Sequence, residues 1–173
     1  YFAAEIISSF IRDLTDIQAE AFIASEFPSH SVCSSNTLTI GISQSGETKD
    51  TLDALHDAKK EGSHIAAFCN VIGSTIARLA GNGAYLHAGS EFAVASTKVF
   101  TNMVATGILF ALSISHLSAN EKKEIIQELR KTPGTLLTQL ISDDGSLDKA
   151  AEMIHASEPP IFIGRSYSSI VAK

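Results

Sequence analysis

Two short apolar runs, Leu38–Ile42 and Ile65–Cys69, separated by one amphipathic stretch of helix length, constrain this chain more than any other feature. Between them Leu52, Leu55 and Ala58 form a single apolar stripe, which opens near Thr48 and stops at Gly62, where glycine is the expected C-terminal signal. A helix between two strands carries the chain back to the end it started from. The runs therefore pair in parallel through a right-handed crossover. Runs this apolar are of the central-strand type, buried on both faces. The spacing thus predicts a doubly wound α/β fold, a parallel sheet with helices on both faces.

The flanking sequence extends the pattern. Ile6, Ile7, Phe10, Ile11 and Leu14 recur at helical spacing and predict a first helix packed on the sheet. Ile17, Ala19, Ala21 and Ile23 alternate with Gln18, Glu20 and Phe22, a period-two pattern that reads as an edge strand. A short helix is expected after Gly73-Ser74, a weak strand over Ala84–His87, and a long apolar helix from about Thr97 to Leu117. Ser118 followed by Glu121 marks a helix start, and Pro133-Gly134 is expected to break that helix. Two further helices follow, over Thr135–Ile141 and Leu147–His155, joined by the Asp143-Asp144-Gly145 turn. Pro159-Pro160 then introduces Ile161-Phe162-Ile163, which reads as the first strand of a second α/β unit. The expected division is residues 1–157 and 158–173, and the echo between the segments after Tyr1 and Tyr167 suggests two related units.

Composition bounds the function. The chain has 173 residues, 45% of them hydrophobic, enough for one substantial core. Thirteen Lys and Arg against nineteen Asp and Glu give a formal charge of -6, which argues against nucleic acid and anionic membranes as partners. The most apolar stretch, Met103–Leu112, is too short to span a bilayer and reads as a buried helix. Opening on Tyr1-Phe2-Ala3-Ala4, with no methionine and no basic segment, the chain reads as a piece of a longer polypeptide without a signal peptide. Cys33 and Cys69 form no CxxC, and the six histidines show no ligand spacing. Neither a disulfide framework, a metal site nor a cofactor is expected, and a reducing cytoplasm fits.

The chemistry sits in Ser43-Gln44-Ser45-Gly46-Glu47-Thr48, where an apolar strand runs through a hydroxyl-rich turn into a helix. Unsatisfied N–H groups and the positive end of the macrodipole at a helix start hold an anion without any lysine. Gly46 permits a left-handed backbone, and Ser43, Ser45 and Thr48 add neutral donors. The competing reading is an ordinary loop in which Ser45 or Thr48 caps the helix. Glu47 is expected to complement the helix start rather than act as a base. Glu91, near the mouth of the same cleft, is expected to orient neighbouring loops or meet a subunit partner, with a structural or solvated role favoured. His87 falls at a strand end facing the ligand side, and Lys98 suits an approach to an anion and a surface or inter-subunit role equally.

Three motifs in order, Ser43 to Thr48, Cys69-Asn70-Val71-Ile72-Gly73-Ser74, and His87-Ala88-Gly89-Ser90-Glu91-Phe92-Ala93-Val94-Ala95-Ser96-Thr97-Lys98, carry a family resemblance. The chain resembles the sugar-isomerase (SIS) module of the glutamine:fructose-6-phosphate amidotransferases, or glucosamine-6-phosphate synthases, from Tyr1 to Lys173. The resemblance implies the flavodoxin-like SIS fold, sugar-phosphate contacts from Ser43, Gln44, Ser45 and Thr48, and sugar contacts from the backbone of Val94 and the hydroxyl of Ser96. Ser96 is also a candidate N-cap of the long helix. Phe92 and Ala93 depart from the smaller aliphatic residue and the glycine more usual in the family.

The same resemblance implies fructose 6-phosphate and glucosamine 6-phosphate as ligands, and a second SIS unit and a glutaminase domain as partners in the intact protein. It places the catalytic groups outside this chain, so none is assigned here and the chain by itself is expected to be inactive. Another SIS phosphosugar isomerase or deaminase, or a sugar-phosphate sensor without catalysis, would use the same cradle. The resemblance also implies a strand before Tyr1. Ile161–Ile163, of matching type, is expected to fill that vacant position within one chain or by exchange between two, which makes a homodimer the expected assembly.

Overall fold

The computed structural model describes residues 1–91, 96–156 and 160–173. It divides into two units, Tyr1–Ser115 and His116–Lys173.

The first unit is built on a parallel sheet of β1 (Leu38–Ser43), β2 (His64–Cys69) and β3 (Gly83–Tyr85), in that order. Leu38 pairs with His64 and Ser43 with Cys69, while Ala67 pairs with Gly83 and Cys69 with Tyr85. Every strand therefore ends at the same edge of the layer, and the three following loops lie side by side there. The crossovers are α3 (Lys49–Lys60), ending just before Gly62, and α4 (Thr75–Ala80), stopped by Gly81 in the left-handed region at φ 68°.

Pleating assigns successive side chains to opposite faces. Ile40, Ile42 and Phe68 join a core with Ile7 and Ile11 of α1 (Phe2–Leu14) and Val99 and Ala111 of α5 (Lys98–Ile114). Ala67 and Cys69 turn the other way and pack with Leu55, Ile76 and Ala80 of α3 and α4. Helices thus cover both faces of a parallel sheet, as the apolar runs predict. α1 and α5 approach closely at Gly107, where an added Cβ would overlap the Ile7 side chain.

Three expectations need correction. Residues 17–23 form no strand: Ile17 and Ile23 are exposed, and the segment leads through a one-turn 3-10 helix, Ala24–Glu26, and α2 (Ser29–Val32) into β1. Its alternation supplies a face to bury, but a ladder also needs a backbone to pair with, and among the described residues the sheet pairs only β1, β2 and β3. Arg12 instead holds the Ala19 carbonyl, and Phe22 and Phe27 stack edge to face at 5.8 Å.

The second correction lies in the second unit, where α6 (Ala119–Ile141) runs 23 residues straight through Pro133. Its start is the expected capping box, with Glu121 N–H donating to Ser118 Oγ at 3.4 Å and Ser118 N–H to Glu121 Oε2 at 2.8 Å. Proline removes one donor without forbidding a helix that stays bonded on either side. Hydroxyls of Thr132, Thr135 and Thr138 add donors to the carbonyls of Glu128, Lys131 and Gly134. α7 (Ser146–His155) and α8 (Tyr167–Val171) complete this unit.

Third, Ile161–Ile163 is in no strand, and its residues are 85%, 61% and 92% exposed, so the expected filling of a vacant strand position within one chain does not occur. The expected boundary at 157/158 falls within residues 157–159, outside the described residues.

Candidate functional site

The carboxyl ends of the strands of an open α/β sheet are where ligands bind, and the expected turn lies there. Ser43, the last residue of β1, is buried with its hydroxyl at the centre of the turn. Its Oγ accepts the Gly46 N–H at 3.0 Å and lies 3.1 Å from Thr48 Oγ1. Ser45 Oγ accepts the Glu47 N–H at 3.2 Å. Thr48 is the N-cap residue of α3, yet its side chain makes no cap bond to the helix. The plain capping role considered for Ser45 and Thr48 is therefore not realised by either side chain, so the first N–H groups of α3 receive no bond from the N-cap side chain.

The turn has a fixed shape because α4 is docked against it. Gly46 is left-handed at φ 68°, and an added Cβ would run into Ser74 Oγ and Cβ. Ile76 N–H donates to Gly46 O at 2.9 Å, and Asn70 N–H to Gln44 O at 3.2 Å. Glu47 Oε1 accepts the Thr75 N–H at 2.8 Å, a bond that holds its carboxyl below the usual range, with Arg78 adding a smaller pull in the same direction. Glu47 is thus occupied structurally, as expected, but with the start of α4 rather than with that of the helix following the turn. Burial pushes the Cys69 thiol up, which keeps it a small buried apolar group. Ser74 Oγ is buried near it without a partner of hydrogen-bond geometry.

The third loop follows β3. His87 takes a left-handed conformation at φ 52° and Gly89 follows at φ 70°. Asn102 Nδ2 donates to Leu86 O at 2.9 Å, and Lys98 Nζ to Ser90 O at 2.6 Å, so Lys98 braces its own loop rather than standing free for an anion. Glu91 Oε2 is buried without a hydrogen-bond partner among the described residues. Ser96 is exposed, and the N-cap of α5 is Thr97, so the expectation that Ser96 caps this helix is corrected. Val94, with Phe92 and Ala93, lies outside the described residues.

Ser43, Ser45 and Thr48 are thereby brought together around Gly46, with half-buried Gln44 between them. In the sequence Asn70 and Ser74 stand only as letters of a motif. An Asn directly after a buried strand is the one local sign that a loop is held there, because its amide can both give and accept a bond. No group of three or more metal-ligating side chains occurs among the described residues.

The model of the SIS domain family matches residues 1–113. Glutamine--fructose-6-phosphate aminotransferase [isomerizing] of Clostridium tetani is 40% identical over 94% of this chain and 27% of its own length. The enzyme of the same name from Chlorobaculum tepidum is 39% identical, with the same 94% and 27% coverage. The solved C-terminal domain of glucosamine-fructose-6-phosphate aminotransferase from Francisella tularensis superposes with a TM-score of 0.85 at 28% identity, over 99% of this chain and 50% of that one. The chain therefore spans about a quarter of the length of the relatives it matches, 27% in both cases. With a parallel sheet layered between helices, a neutral hydroxyl turn at its carboxyl edge and a family model covering most of its length, the chain belongs to the SIS domain family.

Proposed function

We propose that this chain is the sugar-phosphate-holding part of the isomerase domain of a glutamine:fructose-6-phosphate aminotransferase. The observation that carries the reading is the turn itself: the hydroxyls of Ser43 and Thr48 meet immediately before α3, in the same short turn as Ser45, where backbone N–H groups and the helix dipole favour an anion. Gln44 adds an amide donor, and Val94 and Ser96 are proposed to meet the sugar. The relatives at 40% and 39% identity support the choice of enzyme.

In the intact protein, fructose 6-phosphate and glutamine would give glucosamine 6-phosphate and glutamate. This part anchors the phosphate so that carbons one and two meet proton-transfer groups supplied by a second SIS unit, to which residues from 158 onward are proposed to lead. A glutaminase domain supplies ammonia. A homodimeric protein of the cytoplasm completes the reading; no helix among the described residues is long and apolar enough to cross a membrane.

Calorimetric titration with glucosamine 6-phosphate, fructose 6-phosphate and inorganic phosphate tests the site. Ser45→Ala is expected to weaken sugar-phosphate binding by about 1–2 kcal/mol, the range for a lost donor to a charged group. Unchanged affinity in both Ser45→Ala and Thr48→Ala would overturn the phosphate assignment. Incubated with fructose 6-phosphate and ammonia, the purified chain is expected to form no glucosamine 6-phosphate. Product formation would mean that the base lies within these residues.

A further inference from the structure

The first and third loops are joined by one side chain. Beyond Leu86, whose N–H donates to Cys69 O at 3.0 Å, the β2–β3 ladder ends. The Asn70 side chain then continues it: Oδ1 accepts the Ala88 N–H at 2.9 Å, and Nδ2 donates to Gly89 O at 2.7 Å. The amide takes the place of a further peptide rung, one end accepting and the other donating. Its orientation is fixed by its partners, because an N–H must face the oxygen and a carbonyl the nitrogen. Meanwhile the backbone N–H of the same residue donates to Gln44 O in the phosphate turn at 3.2 Å.

What Asn70 holds is a strained corner. His87 sits at φ 52° and Gly89 at φ 70°, on either side of Ala88. A non-glycine residue in the left-handed region persists only where its surroundings over-determine it. Two bonds to one short segment, from a side chain with two rotatable torsions placed directly after a buried strand, do this. We propose that Asn70 is a positioning residue that fixes the distance between the phosphate turn and the corner at residues 87–89, and thereby sets the preference for a phosphorylated sugar over bare phosphate. The inference rests on the sugar-phosphate reading of the site.

Substitution at Asn70 separates the two halves of this arrangement. The backbone bond to Gln44 O survives any side-chain change, so the phosphate turn keeps its support while the corner at 87–89 is released. The test is calorimetric titration of the full 173-residue chain with inorganic phosphate and glucosamine 6-phosphate, in the wild type, Asn70→Ala and Asn70→Asp. Asn70→Asp keeps an acceptor for Ala88 N–H but sets a carboxylate against Gly89 O.

The expected result is a sugar-over-phosphate affinity ratio that falls by about tenfold in Asn70→Ala, with inorganic phosphate binding within about twofold of wild type. Asn70→Asp is expected to lower the same ratio. Circular dichroism melting of the same samples reports folding, and if Asn70→Ala does not fold, Asn70→Asp decides. An unchanged ratio in a folded variant, or an equal loss of both ligands, would overturn the positioning role. A wild-type chain that does not prefer the sugar phosphate would overturn the reading of the site and this inference with it.

Discussion

Gly46 and Ser74 meet across 28 positions of sequence, and their contact decides what the Ser43–Thr48 turn tolerates. Gly46→Ala faces two separate penalties: the left-handed backbone, about 1–2 kcal/mol, and the overlap with Ser74. Ser74→Gly removes only the second. The double variant is therefore expected to recover part of the stability lost in Gly46→Ala, measured by urea unfolding, and simple additivity of the two changes would refute the contact. Glu47 makes a second prediction. The Thr75 bond holds its folded pKa below the usual glutamate value, so its contribution is complete above the unfolded value and disappears as pH falls through the lower folded one. Glu47→Gln is expected to unfold at lower urea than wild type near pH 7, with the gap closing as pH falls through the carboxylate range. A gap independent of pH would remove the charge from the explanation.

Among the elements, those whose sequence period and neighbours agree were legible. Leu38–Ile42, the Leu52, Leu55 and Ala58 stripe, and Ile65–Cys69 required each other, and the strand–helix–strand they form is the one observed. The Ser43–Thr48 turn was legible for the same reason, since its place follows from the strand before it and the helix after it. Residues 17–23 and 161–163 carry apolar residues suited to a strand, but pattern alone does not supply the adjoining backbone. Pro133 misleads in the opposite direction, because a lost bond at one residue is outweighed by intact turns on either side. Pro133→Ala restores that bond and is expected to stabilise α6 by up to about 3 kcal/mol, read as slower amide hydrogen exchange across the helix. Unaltered exchange would mean that the helix is already relaxed around the ring. The Asn70 bridge was not legible in the same sense, since nothing periodic marks a side chain that bonds to a loop 18 residues away.

At the scale of the molecule the two units differ in kind. Tyr1–Ser115 holds both hydrophobic clusters, whereas α6, α7 and α8 contain no buried residue among those described. Hydrogen exchange is accordingly expected to separate them, fast over 116–173 and slow over the sheet. β2 belongs to both clusters of the first unit, giving Phe68 to one and Ala67 and Cys69 to the other. A strand shared in this way makes the two layers melt as a single cooperative step, since neither can lose its partner without exposing the far side of the same backbone. The loops that would hold a sugar phosphate spring from the ends of this one sheet, so no half-melted form keeps a competent site. Saturating glucosamine 6-phosphate should therefore raise protection across β1, β2, β3 and α3 together, by about 2.7 kcal/mol at a hundredfold excess over Kd. Protection confined to residues 43–48 would show instead that the ligand tightens a loop. The spine, on this view, gives the binding energy a lever on the entire unit.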